Sequence, residues 1–386
     1  MAGRARWAIT AVFAANGLLI ATMAARAPSV KVDLGLSAGQ LGLTTAAFGV
    51  SAVLAMQVAG GLAARFGSRR VVRGAVTLLP VALVGTAVPD GLLGLSAAFL
   101  VFGAVHGLLD VTMNAHAVAV ERELGRSILN GCHAAWSIGA VGGSLLASGA
   151  AALDLSRTVH FGLVAAVVVP TVAVWTGALL PASADHVEET AARPKARWSR
   201  QLIVLGAMGA TVLTVEAAIA NWSGIFLHER LAAPLGLAAL GYVAFTACQT
   251  AGRLVGDRLL ARREPHELLR AGTLTAAAGL ALVVLSPWPV LAIAGFAVVG
   301  IGLATPLPVL FSTAGHLGAA TTGAAATVAR FSTMTYTGIL VAPAIIGAVA
   351  DLVGLTWTLA ALAPLLAAVA ATDLRVLARQ PAAVMP

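Results

Sequence analysis

Asp110, Glu216, Arg253 and Arg330 stand deep inside long apolar runs of this chain. An ionised side chain in such a place is costly, and it is kept to pair with another charge, to contact a solute or to move a proton. Each charge at the centre of a membrane-crossing helix costs about 2.5–3.5 kcal/mol, so the four together cost on the order of 10 kcal/mol. Leu or Ala would pack the same positions without that cost. Two acids and two arginines also cancel, which permits a state in which they satisfy one another. His106, Asp110 and Asn114 recur at i, i+4 and i+8 and share one helical stripe, with about 6 Å of rise between neighbours. Gln249, Arg253 and Asp257 repeat that spacing, which puts Asp257 at an inner mouth. Depths counted along the helices bring further pairs together. Asn114 and His133 lie about 9–10 Å from the connection between them, Glu216 and Gln249 about 18–21 Å from theirs, and Thr305 and Arg330 about 14–15 Å from theirs.

More than one chemistry fits each residue. Asp110 is a proton-handling acid or a structural acid bonded to His106 or Asn114, and Glu216 is a proton carrier or a gate-closing partner for an arginine. Arg253 and Arg330 are solute anchors or counter-ions to those acids. His106 and His133 are hydrogen-bonded helix contacts or titrating groups. Asn16 and Asn221 extend the polar set, and Trp136 and Trp222 stand beside polar positions as candidate cavity wall. Cys132 and Cys248 are far apart, with no ligand spacing around them. His266–Arg270 begins like a zinc-binding helix but has Arg270 where a second histidine is needed, so no metal site and no cofactor is expected. An intramembrane enzyme would need a nucleophile with a base at depth, and none is evident.

The elements that position these groups follow from composition. With 59% hydrophobic and 10% charged residues and a mean hydropathy of +0.92, the bilayer is the solvent. Twelve stretches are long and apolar enough to cross it, near 7–27, 40–62, 71–88, 91–115, 129–152, 159–180, 201–227, 236–257, 267–286, 289–313, 321–349 and 354–374. The only long polar connection is 181–200, which divides the chain into six-helix bundles at 1–180 and 201–386. Arg4, Arg6 and the following apolar run imitate a signal peptide, but Asn16 interrupts the run and Arg26 sits where cleavage needs small residues. With the N-terminus inside, only Arg26, Lys31, Arg157 and Arg230 fall on outer connections, so both termini are expected to be cytoplasmic. The net charge of +8 is thereby spread along one membrane face beside anionic headgroups, and nucleic acid is not needed to explain it.

Polarity recurs with a period of three spans. The third, sixth, ninth and twelfth stretches have no ionisable residue in their interiors, as expected of lipid-facing helices in bundles built from pairs of three-helix repeats. Gly103/Gly107, Gly252/Gly256 and Gly139, Gly142 and Gly143 read as close helix crossings, and Pro306, Pro308 and Pro343 as kinks.

The run from Gly60 and Gly61 through Arg65, Gly67, Arg69 and Arg70 resembles the loop motif of the major facilitator superfamily, and Gly252 to Arg258, with Asp257, resembles its degenerate second copy. Leu108–Asn114, Glu121–Arg122, Gly125–Arg126, His133, Trp136–Ser137 and Glu216 with Asn221–Trp222 are similar to a bacterial rhizopine-permease-like and fucose-permease-like branch. The resemblance implies an all-α polytopic membrane protein, twelve transmembrane helices in two six-helix bundles with pseudo-two-fold symmetry. It also implies alternating access around a central site, commonly driven by a proton gradient. Two departures stand out: Ala64 replaces the loop's usual acid, which puts the first-half latch in doubt, and Gly139–Gly143 lacks the proline of the drug-antiporter motif. The expectation is a monomeric, cytoplasmic-membrane secondary transporter of a small polar solute, sugar-like or carboxylated, coupled to protons through Asp110 or Glu216. A drug or metabolite exporter would favour a wide aromatic cavity, whereas 5% of this chain is aromatic. A membrane receptor or scaffold without flux is the alternative from a different class.

Overall fold

In the computed structural model, residues 2–125, 128–181, 199–260, 262–319 and 324–373 are described. They form α1 (Ala2–Ala25), α2 (Ala27–Leu34), α3 (Ala38–Phe66), α4 (Ser68–Gly85), α5 (Leu92–Leu124), α6 (Leu129–Ala152), α7 (Arg157–Trp175) and a 3-10 turn at Thr176–Ala178. After the polar connection come α8 (Arg200–Leu231), α9 (Leu235–Leu260), α10 (Pro265–Leu285), α11 (Pro289–Leu303), α12 (Pro306–Ala319), α13 (Ala324–Val353), α14 (Leu355–Ala360) and α15 (Leu362–Ala371). Every expected span is helical over most of its described residues. Among the described residues, ten helical stretches are long and apolar enough to cross a membrane. The third and twelfth expected spans fall short by that measure: α4 carries Arg69, Arg70 and Arg73 in its first turns, and the stretch Leu355–Ala371 is shorter. Of the expected linker, residues 182–198 lie outside the described residues.

Local chemistry sets the helix breaks. Pro28 in the first turn of α2 has no N–H to give to a continuing α1, and the chain turns at Arg26 before the short α2, an element the hydropathy pattern does not reveal. Pro306 opens α12 and interrupts the tenth span after Ala304, whereas Pro343 is carried inside a continuous α13. Gly67 has φ +84°, and with no Cβ it makes the sharp turn from α3 into α4.

Two compact units form, one within Met1–Glu189, Asn221–Val243 and Pro343–Leu352, the other within Thr190–Ala220, Ala244–Ala342 and Val353–Pro386. They cut across the 1–180 and 201–386 bundles, because the second-half segments 221–243 and 343–352 pack with first-half residues. Gly224 meets Pro28, Gly236 meets Ala152, and Gly347 meets the Ala38 backbone. Inside the first unit, α1 packs on α6, α3 on α5 and α4 on α7. The second repeats this order, with α8 against α13 through Gly206 and Met334, α9 against α11 through Gly300 and Phe245, and α10 against α15. Exposure is not confined to every third helix, however. Of the candidate spans Ala38–Phe66 is the least buried, at 22%, below the 28% of Arg157–Ala178.

Small residues permit these crossings. A Cβ on Gly139 would run into the Ala14 carbonyl, one on Gly143 into Leu18, and ones on Gly103 and Gly107 into Phe48 and Ala52, while Gly142 faces open space. Gly142→Ala should therefore keep or raise the melting temperature, since Ala is the better helix former by about 1 kcal/mol. Gly139→Ala should lower it by overpacking, typically about 1–3 kcal/mol. Thermal unfolding in detergent checks the opposite signs, and equal shifts would remove the α1–α6 crossing as their cause.

Candidate functional site

In the first unit, the polar stripe of α5 is tied to α1. Asn16, fully buried in the middle of α1, accepts from His106 Nδ1 through its Oδ1 at 3.1 Å and donates from Nδ2 to Met113 Sδ at 3.7 Å. The His106 ring stacks on Phe48, with centroids 5.4 Å apart. This fixes His106 in the tautomer that donates from Nδ1. One turn further on, Asp110 is half-buried and interacts electrostatically with His106. Asn114 donates to the backbone carbonyl of Asp110, at 2.8 Å, rather than to its carboxylate. Among the described residues the Asp110 carboxylate accepts no hydrogen bond from His106 or Asn114. His133 sits edge-on to Phe13, with centroids 5.3 Å apart, and Trp136 is half-buried on the same helix, α6.

The second unit holds the other acid. Glu216 on α8 faces Arg253 on α9 at 3.6 Å, with side-chain exposures of 17% and 36%. Gln249, one turn before Arg253, is buried and lies beside the same carboxylate. Glu216 Oε1 and Gln249 Nε2 are both buried and without a hydrogen-bond partner. Glu216 Oε1 is the atom that faces Arg253, and a loose ion pair beside the buried amide of Gln249 can exchange its partner for a proton, a water or a solute group. Arg330 is half-buried near the start of α13. Asn221 is half-buried, and Trp222 is fully buried with its indole N–H unpartnered; both belong to the first unit, five and six residues beyond Glu216 on α8.

The loop motif is built around Gly67. Arg69 donates to the Gly177 carbonyl at 2.7 Å, Arg70 to the Phe66 carbonyl at 3.4 Å, and Arg65 stacks on Phe66. Gly60 has open space around it. Sequence reasoning passes over Ser68 and the buried His116, which are bonded at 2.7 Å, while His116 Nε2 accepts the Leu180 N–H at 3.2 Å. The turn that lacks an acid at Ala64 is thus held to the end of the sixth span through an imidazole and Arg69. Glu121 accepts the Ile128 and Leu129 N–H groups and caps α6. The side chains of Asp257 and Arg258 lie outside the described residues.

A second set of contacts, also absent from the sequence reading, closes the opposite end of the first unit. Lys31 pairs with Glu229, and Asp351 accepts from Ser37 Oγ at 2.8 Å and from the Gly39 N–H at 2.9 Å, at the N-terminus of α3. Ser148 donates to the Gly236 carbonyl at 2.7 Å. Arg157 pairs with Asp33 at 2.8 Å, and Arg26 donates to Leu155. The contacts of Lys31, Asp351 and Ser148 each join a first-half residue to a second-half one.

A family model described as Major Facilitator Superfamily matches residues 7–329. The chain belongs to this superfamily. An MFS-type transporter of Yersinia pestis, uncharacterised, is 32% identical over 359 residues, covering 92% of this chain and 91% of that one. Among solved structures, the nucleoside transporter NupG aligns with a TM-score of 0.75 at 13% identity, over 95% of this chain and 97% of that one. The D-xylose-proton symporter aligns with a TM-score of 0.70 at 15% identity, over 95% and 97%. These structural likenesses are of fold. The protein is thus a multi-pass MFS transporter of the all-α, two-bundle fold, acting on a small-molecule solute.

Proposed function

We propose that this MFS transporter moves a small polar organic solute, sugar-like or carboxylated, across the cytoplasmic membrane by alternating access coupled to protons, as a monomer with both termini in the cytoplasm. The Glu216–Arg253 pair at 3.6 Å, with buried unpartnered atoms around it, carries the reading. Protonation of Glu216 cancels its charge and releases the Arg253 guanidinium to an anionic or hydroxyl-rich group, so proton and solute are bound together. Asp110, whose carboxylate is unclaimed on a stripe with His106 and Asn114, exchanges the proton. His133, Trp136, Asn221, Trp222, Gln249 and Arg330 remain the candidates for solute contact, and Gly60, Arg65, Gly67, Arg69, Arg70, Asp257 and Arg258 for the inner gate. The fold is shared with a D-xylose-proton symporter and a nucleoside transporter, which supports polar cargo.

A screen of sugars, nucleosides and carboxylates for thermal stabilisation identifies the cargo, because a ligand of the folded state raises the melting temperature. That solute, added to proteoliposomes under a pH gradient, should drive proton movement. Binding without any proton movement or flux would favour the receptor reading instead.

The contacts of Asp351 and Glu229 support a conformation closed toward the outer side. Asp351→Asn leaves an acceptor oxygen but takes the negative charge from an exposed helix N-terminus, a change of about 0.3–1 kcal/mol that alters a two-state population about two- to fivefold. A cysteine at Ala238, fully buried in the native chain, should then react several-fold faster with a membrane-impermeant maleimide applied outside, in a background lacking Cys132 and Cys248. Equal rates in the two proteins would remove Asp351 from the latch.

A further inference from the structure

At one membrane boundary of the first unit, the first turns of α1 and the end of α7 enclose a cavity of about 400 Å³ lined by Arg4, Trp7, Val174, Trp175 and Ala178. Arg4 is the only charged residue of this lining among the described residues. Residues 1–15 and 165–181 contain no acid, and a second guanidinium, Arg6, sits 5.3 Å over the Trp7 ring. The carbonyls at the end of α7 would repel an anion, but Arg69 already donates to Gly177 there, at 2.7 Å. The rim is apolar and outward-facing: Trp7, Val174 and Trp175 are 59%, 76% and 47% exposed. Indoles favour the headgroup level of a bilayer, where the ring body meets hydrocarbon and the N–H meets polar groups. Below the cavity, Leu163, Val167 and Val174 are all exposed and share one face of α7. From the first to the last of them is about 16 Å of helix, close to the roughly 15 Å depth of one hydrocarbon leaflet.

We propose that this cavity seats one anionic phospholipid, with its phosphate on Arg4, its glycerol region against Trp7 and Trp175, and an acyl chain along the Leu163–Val167–Val174 face. The proposal is independent of the solute and of proton coupling. A cation with no acid beside it among the described residues selects a negative headgroup over a zwitterionic one, and the facing stripe selects a lipid over a free phosphate. The full-length protein is placed in phosphatidylcholine nanodiscs holding a minor fraction of brominated phosphatidylglycerol, or the same fraction of brominated phosphatidylcholine. Quenching attributable to Trp7 and Trp175, obtained by difference from the Trp7→Phe/Trp175→Phe protein, should be stronger with the anionic lipid. Arg4→Gln should reduce that preference about fivefold, the equivalent of about 1 kcal/mol for one arginine at a membrane surface. Arg270→Gln, an exposed cation that does not line the cavity, should leave it as it is. Trp175→Leu should weaken the enrichment of phosphatidylglycerol measured by native mass spectrometry. Equal quenching by both lipids, an unchanged preference in Arg4→Gln, or the same loss in Arg270→Gln would overturn the assignment.

Discussion

Asp110→Asn should abolish solute-driven proton movement in proteoliposomes, bringing it to the level of empty vesicles, while solute counterflow without a gradient persists. The substitution keeps the size of the side chain and takes away only its capacity to ionise. No hydrogen bond among the described residues depends on that capacity, because the Asp110 carboxylate accepts none and Asn114 is held by the Asp110 backbone carbonyl. The variant should accordingly unfold within about 1 kcal/mol of the native protein, in the ordinary range for a partly exposed substitution away from a packed contact. The neighbours of Asp110 are not interchangeable with it. His106 is committed through Nδ1 to Asn16, so it stays in one tautomer and orients the stripe. Loss of both fluxes together would point to damaged solute binding instead. A gradient dependence equal to that of the native protein would take Asp110 out of the coupling mechanism.

Helical periodicity carried much of this site into view before any coordinates. The i, i+4 spacing put His106, Asp110 and Asn114 on one face, and counting residues from the loops set Glu216 and Gln249 at matching depth on α8 and α9, where Gln249 lies beside the Glu216 carboxylate. The period gives a face and a depth but not which helix stands opposite, so the bond from Asn16 on α1 to His106 on α5 was not legible. Asp351 and Glu229 were missed for another reason. They stand where apolar runs end, and a charge in such a place looks like any solvated residue until its partner on a distant segment is seen. His116 was overlooked because a lone histidine near the end of a span has no spacing that marks it, although its two ring nitrogens tie Ser68 to Leu180. The short α2 escaped because hydropathy averages over a window longer than the element, and Pro28 was the only local sign of the break.

Glu216→Gln tests the coupling from the other side, and its expected signature differs from that of Asp110→Asn. In the proposed mechanism the native pair offers Arg253 to the solute only when Glu216 is protonated; with a neutral amide in place of that carboxylate the guanidinium is free at every pH, and solute affinity should lose its dependence on pH while binding itself survives. Net uphill accumulation should fall to zero. Removing one member of a buried ion pair usually leaves an uncompensated charge and costs several kcal/mol, but Arg253 is 36% exposed and 3.6 Å from the acid. Water can take over its solvation, and the stability loss should stay near the range of about 0–1 kcal/mol seen for solvent-screened pairs. Arg253→Lys separates the two roles of the guanidinium. A lysine retains the charge that answers Glu216 but not the planar two-point fork, so solute affinity should fall while the response to pH remains. In the double variant the pH response should again be absent, which makes the two substitutions non-additive in a mutant cycle on solute binding. If Glu216→Gln instead retains the native pH dependence of affinity, the ion pair is only a structural closure, and the proton must be bound elsewhere.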